Sequence, residues 1–426
     1  MANNNLKRSL GFWDILMFGV GGIVGAGIYA IIGQAAGLSG NMLWLSFAIA
    51  AIVALLTGLS YAEFVSRFPD AGGSFEYIKQ GMNEKTALFM SIFMTFTGIV
   101  APAAIAISFA DYLSRLIDIP NWITVIIIVS LMAVFNIIGS KVSSYYNSIA
   151  TIITLAGLGL VIAFCIPDWG SVDFFEVGDA GYTGILAGSA LIFFSYVGFE
   201  DLVKMAEETK NARKVLPKGV LLSGIIVLIL YVMIAISAIS TFEAGELAKK
   251  NGPLAAVIES QWGPIGGTIL VCVALFATSK TILSNILGTS RLLYDVARDS
   301  EISWLKKFTT LDGIGVKTPN YAIIAIAIVT IAFGLIGNLK VVASISNIFV
   351  FGVFGMVNLA LLRFRMKLKK EASSTEHEHK SKDEKNDEVF RIPLNVNNIP
   401  IPTVFAFITI LILFGFNIYN LIQGNA

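Results

Sequence analysis

The chain has 426 residues, of which 56% are hydrophobic and only 14% charged, and its mean hydropathy is +0.77. Soluble domains carry about 25% charged residues, so this composition excludes a protein solvated by water alone and makes lipid part of its solvent. A formal net charge of +1 offers no electrostatic footprint for a nucleic-acid partner.

A helix needs roughly 20 mostly apolar residues to cross a bilayer. About eleven transmembrane helices are predicted, over 12–36, 42–65, 86–112, 122–138, 147–166, 184–203, 219–239, 266–293, 320–339, 342–362 and 402–421. The first segment follows Met1-Ala2-Asn3-Asn4-Asn5-Leu6-Lys7-Arg8 without a small-residue cleavage site and is read as a retained helix. Cys165 and Cys272 lie in apolar stretches, without metal-ligand spacing, and read as small hydrophobes. Between the tenth and eleventh segments lies a charged stretch, in which His377 and His379 are the chain's two histidines. A solvated linker explains that stretch better than a metal site does.

Orientation follows from lysine and arginine. With the N-terminus in the cytoplasm, the inner loops collect 25 of the 30 basic residues and the outer loops four, Arg115, Lys249, Lys250 and Lys340. The remaining one, Lys280, lies inside a segment. Eleven crossings then place Ala426 outside.

Segments one to five and six to ten form two blocks, each opening with a helix interrupted by glycine. The first reads Gly19-Val20-Gly21-Gly22-Ile23-Val24-Gly25-Ala26-Gly27-Ile28-Tyr29, and the sixth Phe193-Phe194-Ser195-Tyr196-Val197-Gly198-Phe199-Glu200. Because five is odd, the second block must sit upside down relative to the first. Matched interruptions in inverted halves point to a transporter binding site. The expected division is 1–166 for the first repeat, 167–365 for the second, 366–398 for a charged cytoplasmic linker and 399–426 for the eleventh helix.

A break in a membrane helix exposes N–H groups at one half-helix start and carbonyls at the other half's end. An α-amino acid suits both. Its carboxylate can sit on the amides of Ala26, Gly27 and Ile28, aided by the helix dipole. Its ammonium can take carbonyls near Gly22, Ile23, Phe194 and Val197. Close helix packing alone would explain Gly21 and Gly25, but not the recurrence of the break in the other half.

Four motifs carry a family resemblance: Gly25-Ala26-Gly27-Ile28-Tyr29; Tyr61-Ala62-Glu63 with Arg67-Phe68-Pro69 and Gly72-Gly73-Ser74-Phe75-Glu76-Tyr77; Phe194 to Glu200 with Glu207-Glu208-Thr209-Lys210-Asn211 and Leu216-Pro217; and Arg291-Leu292-Leu293-Tyr294 with Ala297-Arg298-Asp299. In this order and spacing the chain resembles the amino acid–polyamine–organocation superfamily. The resemblance is clear over roughly 10–300 and fades toward Arg391. It implies an all-α membrane protein with the five-plus-five inverted-repeat, leucine-transporter-like helix bundle, binding an amino acid between helices one, three, six and eight. By position, Ala26 and Gly27 resemble the carboxylate-binding residues, Phe194 the aromatic gate and Val197 a neighbouring wall residue. Asn285 resembles a side-chain contact on helix eight, with Thr95, Thr97 and Gly98 as looser candidates on helix three. Ala212 replaces a usual proline, Ser300 a usual glycine, and relatives mostly have twelve helices.

Two ionisable residues stand out. Glu200 lies just past the second break, where relatives use a carboxylate in gating or proton sensing; the alternative is a carboxylate that only holds helices together. Lys280 lies mid-segment, eleven residues before Arg291, or about 16 Å along a helix. Its ammonium needs carbonyl or hydroxyl partners, or must lose its proton. Several proton-coupled relatives place a lysine from helix five at the position that aligns with Thr154. Lys280 is expected to take over that role, bonding carbonyls near Gly22 and Thr154. Asp111 reads as interfacial, and Glu63 beside Arg67 as structural.

The expectation is secondary transport of a neutral amino acid coupled to protons, with no enzyme activity, cofactor or metal. Alternatives are a sodium-independent exchanger, a permease for polyamines or other organic solutes, and an amino acid-binding membrane sensor. The substrate, symport against exchange, and the oligomeric state stay open. No G-x-x-x-x-G-K-[ST] phosphate loop occurs, which disfavours an ATP-driven pump.

Overall fold

The computed structural model describes residues 8–69, 73–178, 180–299, 303, 305–310, 318–374 and 389–422. Among them, nine helical stretches are long and apolar enough to cross a membrane, and Phe12–Ile23 and Asn320–Gly334 are shorter apolar helices. Every expected segment has its helix. The first crossing is split into α1 (Phe12–Ile23) and α2 (Ala26–Ser39), and a 3-10 turn, Gly40–Met42, leads into α3 (Leu43–Arg67). A short helix, α4 (Ser74–Gly81), precedes α5 (Glu84–Leu113), α6 (Asn121–Ile138) and α7 (Ser140–Cys165). The sixth crossing starts with α8 (Gly181–Ile192) and continues as 3-10 turns, followed by α9 (Ala212–Thr241) and the four-residue α10 (Ala244–Leu247). Then come α11 (Pro253–Asp299), α12 (Asn320–Gly334), α13 (Leu339–Ser374) and α14 (Ile401–Ile422).

Local chemistry sets the helix ends. Asn83 caps α5, its Oδ1 accepting the Thr86 N–H at 2.8 Å, which satisfies one of the first-turn donors. Asp14, in the first turn of α1, takes the Gly11 N–H at 2.8 Å. At Gly263, φ is +71°, and there α11 kinks into two helices. The eighth crossing therefore begins only after that glycine, as the hydropathy suggested.

The broken helices lie at the centre of the bundle. α2 packs on α8 and α11, α1 on α9, and α3 on α9, while α5 packs on α11 and α13. Ile28, Tyr29, Ile31 and Phe193 are fully buried. By contrast, Ile127, Ile152, Ile328 and Ile408 stand exposed on α6, α7, α12 and α14. Apolar side chains facing outward from an apolar bundle are those that lipid must cover. The protein is a multi-pass integral membrane protein with a helical-bundle fold.

The end of the bundle rich in lysine and arginine is tied by one buried carboxylate. Glu63 on α3 has no exposed surface; it pairs with Arg67 at 2.8 Å and with Arg365 of α13 at 2.7 Å. Its Oε2 also accepts the N–H of Ile392 at 3.1 Å, and Ser66 accepts the N–H of Phe390 at 2.7 Å. The stretch expected as a plain linker thus differs at both ends. α13 runs on to Ser374, and Phe390 and Ile392 bond back onto α3 ahead of the two-stranded ladder β1 (Asn395–Val396) and β2 (Ile399–Pro400). His377 and His379 lie outside the described residues.

Candidate functional site

α1 stops at Ile23, and Val24 and Gly25 leave the helical region before α2 starts at Ala26. In the sixth crossing α8 stops at Ile192; a 3-10 turn spans Phe193–Tyr196, and Val197 is extended (φ −66°, ψ 136°). Gly198 then takes φ +129°, and a further 3-10 stretch covers Phe199–Glu208. Only glycine adopts that φ without strain.

The two breaks touch. A Cβ on Gly198 would lie 2.6 Å from the Gly22 oxygen, and a Cβ on Gly27 would lie 2.6 Å from Ser195 Cα. Gly27 therefore packs on helix-six backbone rather than facing open space. A larger side chain there forces the two broken helices apart before it fills any pocket.

Side chains from two other helices, α9 and α11, bond the backbone freed at the first break. Lys280 on α11 donates to the carbonyls of Gly21 and Val24, each at 3.1 Å, and to Thr151 Oγ1 at 2.9 Å. Tyr231 on α9 donates to the Ile23 carbonyl at 3.1 Å. Thr281 accepts the Ala26 N–H at 3.2 Å. A helix end buried in lipid depth needs such partners, because no water reaches its freed backbone groups. The second break is served likewise: Glu200 accepts the Gly198 N–H at 2.8 Å, and Asn347 on α13 donates to Ala190 O at 2.7 Å and Leu191 O at 3.2 Å.

The candidates fall into two groups. Gly22, Ile23, Ala26, Gly27, Ile28, Phe194 and Val197 line the breaks, and Glu200 and Lys280 bond directly to them. Thr154 does not meet Lys280; it is fully buried, its hydroxyl bonds Ala150 O at 2.6 Å, and its carbonyl accepts Tyr29 OH at 3.1 Å. Thr151, one turn earlier on α7, takes the ammonium instead. Thr95 and Thr97 give their protons to Ser91 O and Phe93 O, and Asn285 gives its amide to Thr281 O. These three bond within their own helices. Gly98 packs against Thr289, which leaves no room for a side chain.

Sequence reasoning passed over Thr151, Tyr231, Thr281, Asn347 and Ser195. Thr151 carried a weak signal, lying on the same α7 face as Thr154. Tyr231 and Asn347 carried none, because the partner of each is distant in the chain.

Two cavities flank the breaks. One, of only about 10 Å³, is apolar and lies between α3, α9 and the breaks, touching Ile23, Tyr196 and Phe199. The other, of about 60 Å³, is polar and includes Tyr29, one turn into α2, with Asp111, Lys249 and Lys250 among its lining residues. It lies at the end of the bundle opposite Glu63.

Comparison with known proteins agrees with this architecture. The sequence pattern of the amino acid permease family matches residues 10–425. The chain is 25% identical to the branched-chain amino acid permease BcaP of Bacillus subtilis, over 86% of this chain and 83% of that protein. It is 25% identical to cationic amino acid transporter 1 of Arabidopsis thaliana over 85% of this chain, and the match spans 63% of that longer protein. A Methanocaldococcus jannaschii protein of uncharacterised role, MJ0609, is 27% identical over 80% of this chain and 79% of its own length. By the family pattern that runs almost end to end, the chain belongs to the amino acid permease family, within the amino acid–polyamine–organocation superfamily.

Proposed function

We propose that the protein carries a neutral amino acid, together with a proton, across the cell membrane. The observation that carries this reading is the Lys280 ammonium seated on the carbonyls of Gly21 and Val24 at the first break. A membrane-buried charge is costly and persists only where it is paired or used. Here the charge is itself the cation that holds the broken helix, so no sodium ion is needed at that place. Loss of its proton removes the positive charge and one of the three N–H donors that bind two carbonyls and one hydroxyl. The break is then free to shift against α7 and α11, and that shift alternates access between the two faces. The substrate carboxylate binds on the N–H groups of Gly27 and Ile28 at the start of α2, and its ammonium on the carbonyls about Gly22, Phe194 and Val197.

A neutral side chain fits the lining. At the breaks the acid is Glu200, which is engaged with the Gly198 N–H, and the neighbours Phe194 and Val197 are apolar. The names of the relatives cover both branched-chain and cationic amino acids. A cationic substrate would be favoured only if Glu200 released Gly198 to meet it. The lysine and arginine distribution supports a cytoplasmic N-terminus and Glu63 end. The two blocks are assigned as inverted five-helix repeats, 1–166 and 167–365, on the matched breaks that open them.

Uptake of a labelled amino acid panel into proteoliposomes, with and without sodium and with a pH gradient, tests this. Neutral amino acids should accumulate without sodium and faster with an inward proton gradient. Strict sodium dependence removes the proton role, and no uptake of any amino acid removes the transport reading.

A further inference from the structure

We infer that Ser195 is a substrate-binding residue whose hydroxyl donates to the carboxylate of the bound amino acid. This rests on the transport reading above and names a side chain that completes its anion site. The start of α2 is a 14-residue helix whose N-cap, Gly25, has no side chain to bond the first-turn donors. Of those donors, Ala26 N–H is taken by Thr281. The N–H groups of Gly27 and Ile28 have no acceptor within the helix itself.

Ser195 supplies the second, independent observation. It is 1% exposed, and its Oγ has no hydrogen-bond partner among the described residues. A buried hydroxyl left unpartnered is costly and rare. In most helices a serine returns its proton to the carbonyl one turn behind. Here that carbonyl belongs to Leu191, and Asn347 already donates to it at 3.2 Å. The break itself prevents regular helix from restoring the bond. The free hydroxyl points at the other broken helix: a Cβ built on Gly27 would lie 3.1 Å from Ser195 Oγ. Ser195 Oγ thus lies beside the first turn of α2, and it and the free amides of that turn can all act as donors. Donors at a helix N-terminus select an anion, and a carboxylate is the anionic group of the expected substrate. Glu200, on the same broken helix, is held away on Gly198 N–H.

The two roles open to Ser195 give opposite results in Ser195→Ala. A structural hydroxyl would cost stability when removed. An unpartnered one should leave the ligand-free unfolding temperature unchanged or slightly higher, because a desolvated group is removed. We would measure thermal unfolding and binding of purified full-length protein with alanine, serine and leucine and with their carboxamides. For the amino acid that binds the natural protein, affinity should fall about ten- to hundredfold in the alanine variant, as for a lost hydrogen bond to a charged group. The preference for the acid over its carboxamide should shrink by the same factor. Ser195→Cys, a weaker donor of similar shape, should fall between. Unchanged affinity or unchanged acid-to-amide preference in Ser195→Ala overturns the inference, and so does a clear loss of ligand-free stability. If the natural protein binds none of the amino acids in the uptake panel, the transport reading falls first and this site falls with it.

Discussion

The Lys280 ammonium lies 3.1 Å from the carbonyl of Val24, the residue at which the first helix loses its regular bonding. A third bond to Thr151 makes the same nitrogen a bridge between α11, α1 and α7. One ammonium therefore links three helices at the first break.

Lys280→Ala should insert and fold but lose the response of uptake to a pH gradient. Lys280→Arg keeps the charge permanently and cannot release a proton, so uptake should fall at least about tenfold, the factor for each 1.4 kcal/mol of barrier. Thr151→Val, which leaves both carbonyl bonds, should cost less than either. Rates in proteoliposomes at fixed amino acid and varied gradient decide it, and full gradient response in the alanine variant would rule Lys280 out of coupling.

The contact between the breaks makes an asymmetric pair of glycine substitutions. A Cβ on Gly198 meets the Gly22 oxygen at 2.6 Å and needs φ +129°, whereas a Cβ on Gly22 lies 3.6 Å from the Gly198 oxygen, an ordinary contact. Gly198→Ala should add backbone strain of about 1–3 kcal/mol, lower the unfolding temperature and abolish uptake. Gly22→Ala should retain most of both. Thermal unfolding and uptake, measured side by side on the two variants, check the asymmetry; equal behaviour would mean that the breaks do not touch in the working protein.

Glu63 is a buried carboxylate between two arginines, with the Ile392 N–H on its second oxygen. Removing the charge leaves Arg67 and Arg365 desolvated without their counter-ion, a loss of about 3–5 kcal/mol for a broken buried pair. Glu63→Gln should lower the unfolding temperature in detergent and raise hydrogen exchange at the Phe390 and Ile392 amides, which bond Ser66 and Glu63. Native-like exchange at both amides would show that residues 389–398 are held by other contacts.

Much of the fold was legible without coordinates, since hydropathy is a property of local windows. The apolar segments, the glycine interruptions at 19–29 and at Gly198, and a lone lysine in a span are all visible within a turn or two of chain. Glu63 shows the limit well. Its partner Arg67 is four residues away and reads off helical spacing, whereas Arg365 is 302 residues distant and does not. The same holds at the site. The sequence alone required that Lys280 find acceptors, because a buried ammonium demands them. The choice of Thr151 over Thr154 was made by the way α7 meets α11, where Gly157 packs directly on Val273. That Asn347 reaches the carbonyl of Leu191 at the second break depends on α13 and α8 being brought together across 156 residues of chain. Local spacing and solvent preference are written into the order of residues. Which donor reaches which carbonyl is decided by packing, because backbone groups freed at a break are chemically alike and only position distinguishes them.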